Sequence, residues 1–199
     1  MFDKVASRVA DNLVENSIVD ADDKEIYHFG IQQGLTTLLG IGVFVATGWV
    51  FGVFWQMALF VVVFMPLRSF AGGYHASTPK KCFMLLVIMA VGVALLIVHV
   101  PVYGQTVSAI AIISALIIMA LVPVEDRNKP LDHAEKERYQ SIARAISVSF
   151  AVMAACLTLL QFYVIAVSIA WAVTAVAVMV VIGKVKNILL GNAETKTIE

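Results

Sequence analysis

Charge is missing from three long stretches of this chain, and that absence limits its possible folds more than any other feature. Phe29 to Leu67 is 39 residues without Asp, Glu, Lys or Arg, Cys82 to Val124 is 43, and Ala145 to Gly183 is 39. A helix needs about 20 apolar residues to cross a hydrocarbon core of roughly 30 Å, so each stretch is long enough to cross and return. Local turn chemistry divides each one: Gly48 to Gly52 around Trp49, Pro101 to Gly104, and Gln161 to Tyr163. The expectation is an all-α polytopic membrane protein of about six transmembrane helices arranged as three hairpins. Its spans fall near residues 30–49, 52–67, 83–100, 105–123, 144–160 and 163–182, the second being the shortest. Composition agrees, because 60% hydrophobic and 14% charged residues leave too little polar surface for a water-soluble domain.

The charged residues fall in four islands, residues 1–28, 68–81, 125–144 and 184–199. Two crossings per stretch put all four islands, and with them all 14 Lys and Arg residues, on one side of the membrane. The positive-inside rule makes that side the cytoplasm, with both termini there. The chain reads as one membrane domain: an N-terminal segment 1–28, a first hairpin 29–67, a cytoplasmic loop 68–82, a second hairpin 83–124, a charged cytoplasmic loop 125–144, a third hairpin 145–183 and a cytoplasmic tail 184–199 that is polar and loose after Lys186. Within the first segment, Phe2, Val5, Val9 and Leu13 recur at helical spacing beside Lys4, Arg8 and Asp11, the pattern of an amphipathic helix lying on a lipid surface. A net charge of zero excludes nucleic acid as the main partner. Membrane lipids are the expected surroundings, and a homodimer is common for so small a bundle.

Neither a metalloprotease HExxH nor a GxSG serine motif is present, and no charged residue sits within a span as ion-coupled transport would require. No metal site or cofactor is implied. His133 lies among acidic residues that read as a solvated loop, and Cys156 reads as an inert packing cysteine. Gln32 and Gln33 are placed to bond another helix or a peptide, and Gly34, Gly40 and Gly42 to allow close helix packing. The chemistry concentrates in the loop 68–82, where Arg68, Gly72, Gly73, His75 and Cys82 follow one another with Pro79 between the last two. On a straight helix His75 and Cys82 would stand about 10 Å apart along the axis. Pro79 argues against that helix, and Gly72 and Gly73 permit either a sharp turn or a close backbone approach. Cys82 opens the third span, where helix N–H groups and Lys80 and Lys81 favour an anion. Two readings stay open on these grounds: a Cys/His catalytic pair, or a small apolar cysteine at a span boundary beside a loop histidine.

The spacing Arg68-x3-Gly72-Gly73-x-His75-x6-Cys82, followed by an apolar span, resembles the accessory gene regulator B (AgrB) family, membrane cysteine endopeptidases of Gram-positive peptide quorum sensing. The likeness extends to chain size, hairpin spans, the amphipathic N-terminus and the run Pro123-Val-Glu-Asp-Arg-Asn-Lys-Pro130. The resemblance implies His75 as general base, Cys82 as nucleophile, and Arg68, Gly72 and Gly73 as supporting residues. It also implies an AgrD-like precursor peptide as substrate, cleaved before its acidic tail through a thioester acyl-enzyme and closed to a thiolactone or lactone. The alternative is a peptide-binding exporter or chaperone without catalysis.

Overall fold

The computed structural model describes residues 2–16, 18–73, 79–100, 104–124 and 132–195, with the side chains of 79, 80 and 190–195 outside that description. It contains α1 (Asp3–Glu15), α2 (Lys24–Val50), α3 (Phe54–Ala71), α4 (Pro79–His99), α5 (Gln105–Leu121), α6 (His133–Leu159) and α7 (Tyr163–Thr195). Five of the last six are long and apolar enough to cross a membrane, and α5, of 17 residues, is a shorter apolar helix. The chain is therefore an all-α polytopic membrane protein.

The hairpin turns fall where the glycine and glutamine signals place them. α2 and α3 are joined around Gly52 and α6 and α7 around Gln161, and both residues take left-handed φ, 71° and 62°. Residues 101–103 of the middle turn lie outside the described residues. The helices overrun the charge-defined boundaries at the other end. α3 continues past Leu67 through Arg68 to Ala71, α6 begins at His133 inside the 125–144 island, and α7 runs on through Lys184 and Lys186 to Thr195. Charge does not stop a helix; Lys and Arg extend their heads into water while the backbone stays helical. The expected loop 68–82 therefore shrinks to the segment between Ala71 and Pro79, and the tail expected to be loose is helical as far as Thr195. α3, at 18 residues, is longer than expected, and α5 is the shortest of the six.

Small residues build the interior. Ala111 and Ala115 of α5, Ala143, Ala151 and Ala154 of α6, and Ala166, Ala170 and Ala177 of α7 are all buried, so these backbones approach closely. Ser114 and Thr174 hydrogen-bond across α5 and α7 at 2.9 Å. α3 fills the remaining side with Met57, Phe60 and Leu67, and Phe60 stacks between Phe44 of α2 and Phe64, with centroids 5.3 and 5.2 Å away. α4 is set apart: it packs mainly on α2, and an apolar groove of about 530 Å³ separates it from α7.

α1 packs Ala6 and Ala10 inward, and Lys24 reaches Asp11 at 2.6 Å while His28 lies 3.3 Å from the Asp3 carboxylate. Val5 and Val9 stay exposed, which leaves α1 an outward apolar face. Cys156 corrects an expectation, for it is exposed rather than packed. Helix phase decides this, because Ala151, Ala154 and Thr158 take the inward face of α6.

Candidate active site

Where α3 ends, two glycines make a turn that other residues could not. Gly72 has φ 71° and Gly73 φ 117°. A Cβ on Gly72 would stand 2.1 Å from the carbonyl oxygen of Val124, and one on Gly73 would stand 3.0 Å from that of Met179 in α7. Both alternatives raised for this pair are thus realised at once: a left-handed turn and a close backbone approach.

The approach is hydrogen-bonded. The Val124 N–H donates to the Ala71 carbonyl at 3.1 Å and the Gly73 N–H donates to the Val124 carbonyl at 3.3 Å, forming a parallel bridge between Gly72 and Val124. Arg68 donates from Nη1 to the Gly72 carbonyl. A guanidinium in the last turn of a helix satisfies carbonyls that the helix cannot, and it complements the negative end of the dipole. The segment after α5 is held from its other side as well, because Gln140 of α6 donates to the Val122 carbonyl at 3.1 Å and Arg144 donates to that of Met119, also at 3.1 Å. Phe70 meets Tyr139 edge to face, with centroids 5.7 Å apart. The ends of α3 and α5 and the start of α6 are thereby tied into one junction, which lies against the middle of α7 at Met179.

Arg68, Gly72 and Gly73 of the expected site therefore come together at this junction. Arg68, expected only as a supporting residue, donates to backbone within the chain. His75 lies outside the described residues. Cys82 is exposed in the opening turn of α4, and Pro79 is the first residue of that helix, where its missing N–H costs nothing. Only residues 74–78 separate the Gly73 anchor from α4. Sequence reasoning missed Val124, Gln140 and Met179 as parts of the junction. The one available signal was the glycine pair, which requires a close neighbour without saying which.

One helical turn along α4 from Cys82 begins a cavity of about 160 Å³ between α2, α3 and α4, lined by Leu86 and Met89 of α4 and by Gln33, Thr36, Thr37 and Gly40 of α2, among others. Residues 82, 86 and 89 share one face of α4 through the i, i+4, i+7 spacing. Among the described residues, no group of His, Cys, Asp and Glu is arranged to hold a metal ion. His133 instead opens α6, its N–H bonded by the Asp132 carboxylate at 2.7 Å.

Comparison with known proteins places this arrangement in context. The family model described as accessory gene regulator B matches residues 6–182. A Clostridium perfringens (strain 13 / Type A) protein named "Putative AgrB-like protein 2" is 23% identical over 145 residues, 69% of this chain and 68% of that protein. A second, from C. perfringens (strain SM101 / Type A) and named "Putative AgrB-like protein", is 20% identical over the same shares. No solved structure matches the chain. The family match runs from α1 to the last membrane turns of α7 and takes in the glycine junction together with Cys82; the chain belongs to the accessory gene regulator B family.

Proposed function

We propose that this protein is a membrane cysteine endopeptidase that cuts the C-terminal tail from an AgrD-like precursor peptide and promotes its cyclisation. Family membership supports the coarser role, peptide processing in accessory gene regulation. The observation that carries the finer reading is the position of Cys82, exposed in the first turn of α4 and separated by eight residues, His75 among them, from the Gly73 end of a hydrogen-bonded junction. A thiol there can meet a peptide at the lipid boundary, and the N–H groups of the opening helix turn face an anion.

In the proposed reaction His75 takes the Cys82 proton, and Sγ attacks the carbonyl before the tail. The tail leaves as an amine, taking the proton back from the imidazolium, and the remaining peptide is held as a thioester. A thiol or hydroxyl within that peptide then attacks the thioester carbonyl and gives up its proton, the ring closes, and Cys82 is regenerated. Ring closure competes with water because a tethered nucleophile reaches an effective molarity of about 10⁵ M or more when well oriented. Arg68, Gly72 and Gly73 act as positioning residues that hold the start of the catalytic segment. All four charged islands face the cytoplasm in this reading.

The deciding experiment compares Cys82→Ala and His75→Ala with wild type at equal amounts of membrane-inserted protein. Each substitution should abolish release of the precursor tail, and mass spectrometry should find the acyl adduct on Cys82 alone. Continued signal production by Cys82→Ala would overturn the reading in favour of a non-catalytic peptide exporter or chaperone.

A further inference from the structure

We infer that the cavity beneath Cys82 is the subsite for the residue whose carbonyl the thiol attacks, and that it selects a ring-sized apolar side chain. The inference rests on Cys82 as nucleophile, and it adds a substrate preference that the fold family by itself does not specify.

Position comes first. Cys82 and Leu86 are four residues apart on one face of α4, about 6 Å along the axis, within the reach of one side chain. A Cβ on Gly40 of α2 would stand 3.1 Å from Leu86 Cδ1, so Gly40 and Leu86 lie at one level. α2 and α4 run in the same direction, each followed by a helix that returns. Thr36 and Thr37, three to four residues before Gly40, therefore stand about level with Cys82, while Phe44, Val61 and Met89 lie deeper.

This registers a polarity gradient along the cavity. Its neck, level with the thiol, carries Gln33, Thr36 and Thr37; its floor is aromatic and aliphatic. Thr36 donates its hydroxyl proton to the Gln32 carbonyl at 2.8 Å, which leaves its oxygen able to accept. Among the described residues the side chains of Gln33 and Thr37 make no hydrogen bond, so they too can serve peptide N–H and C=O groups. A peptide backbone suits the neck and an apolar side chain suits the floor. Size follows from volume: about 160 Å³ compares with the cavity of about 150 Å³ that accepts benzene in an engineered apolar core. One phenylalanine-like ring fits, and a small side chain would leave the space unfilled.

The test uses the full chain in lipid vesicles and three chloromethyl ketone reagents, acetyl-Gly-Phe, acetyl-Gly-Ala and acetyl-Gly-Trp, with alkylation of Cys82 and Cys156 followed separately by mass spectrometry. Wild type should alkylate Cys82 with the Phe reagent at least roughly ten-fold faster than with the Ala reagent. Thr37→Phe, which fills the neck, should bring that ratio toward one. Met89→Ala, which deepens the floor, should shift preference toward a Trp reagent, a gain that damage to the fold would not give. Equal ratios in wild type and both variants would overturn the subsite and leave the nucleophile standing. Alkylation of Cys82 no faster than of Cys156 by either reagent would overturn the nucleophile, and the subsite with it.

Discussion

Replacing Gly72 by alanine tests whether the junction at the end of α3 is what holds the candidate site. The new Cβ would sit 2.1 Å from a backbone oxygen, that of Val124, where no side-chain rotation can relieve the clash. Alanine at φ 71° also carries a backbone strain of about 1–2 kcal/mol. Separating the two strands to make room breaks the Val124-to-Ala71 and Gly73-to-Val124 hydrogen bonds, each worth about 0.5–1.5 kcal/mol net. Together these give a loss of about 2–5 kcal/mol. At about 2–4 °C per kcal/mol for a chain of this size, the midpoint of thermal unfolding in detergent should fall by roughly 4–20 °C. Gly92→Ala is the control: nothing lies within 4 Å of its Cβ, and a mid-helix glycine gains about 0.5–1 kcal/mol on becoming alanine. A Gly72→Ala protein that unfolds at the wild-type temperature would refute the junction as described.

Three further outcomes follow from other parts of the molecule. The hydrogen bond from Lys24 lowers the Asp11 pKa below its ordinary 3.8, with the Lys24 charge acting the same way. A depressed carboxylate stabilises the fold above its unfolded pKa and loses that contribution as pH falls through the folded one. Hydrogen exchange should therefore show α1 less protected in acid below 3.8 than at neutral pH, and Asp11→Asn should lower its protection at neutral pH; protection unchanged by either would disprove the contribution of the Asp11–Lys24 pair. Gln161 holds φ 62° in the α6–α7 turn, so Gln161→Gly should raise stability by about 1 kcal/mol or less after the entropy cost of glycine, measured as a small rise in unfolding temperature. For topology, single cysteines in a background lacking Cys82 and Cys156 should react with an impermeant thiol reagent from outside at Phe162, but at Asp22 and Lys136 only after permeabilisation. Labelling of Lys136→Cys on intact cells would overturn the one-sided arrangement of the charged islands.

The six helices were legible because exclusion of charge is a strong, local signal, and two of the turns were legible because Gly52 and Gln161 interrupt it with turn chemistry. Helix ends were not. Hydropathy marks where lipid stops, whereas helix α3 runs four residues further to Ala71 and stops before Gly72, where backbone geometry and not polarity forbids continuation. The glycine pair announced a close approach, yet its partners Val124 and Met179 come from distant parts of the chain, and no local pattern names them. Cys156 shows the same limit in one residue: alanine neighbours suggested packing, but one position of helix phase turned it outward.

The contrast between the junction and α4 bears on how such a site could work. α7 buries Ile169, Val173, Val176 and Val180 among other residues, while α4 buries Ala90, Val93 and Ala94 and leaves Met84 and Ile88 largely exposed. In a bilayer, apolar surface that leaves a protein neighbour is covered by lipid tails of similar polarity, so displacing a helix costs the lost packing and not the hydrophobic effect. α4 is accordingly a span held by little protein packing, with a groove on its α7 side and the smaller cavity on its α2 side. Its opening turn carries Cys82, and the segment preceding it starts from a glycine clamp that hydrogen bonds and Arg68 hold in place. A fixed anchor at one end and a lightly packed helix at the other would suit a thiol beside which a peptide must enter and a product must leave. Tightening α4, by filling the groove at Gly92 with Leu, should then slow turnover of the precursor while leaving small-reagent alkylation of Cys82 unchanged; equal slowing of both would mean that the groove merely supports the fold.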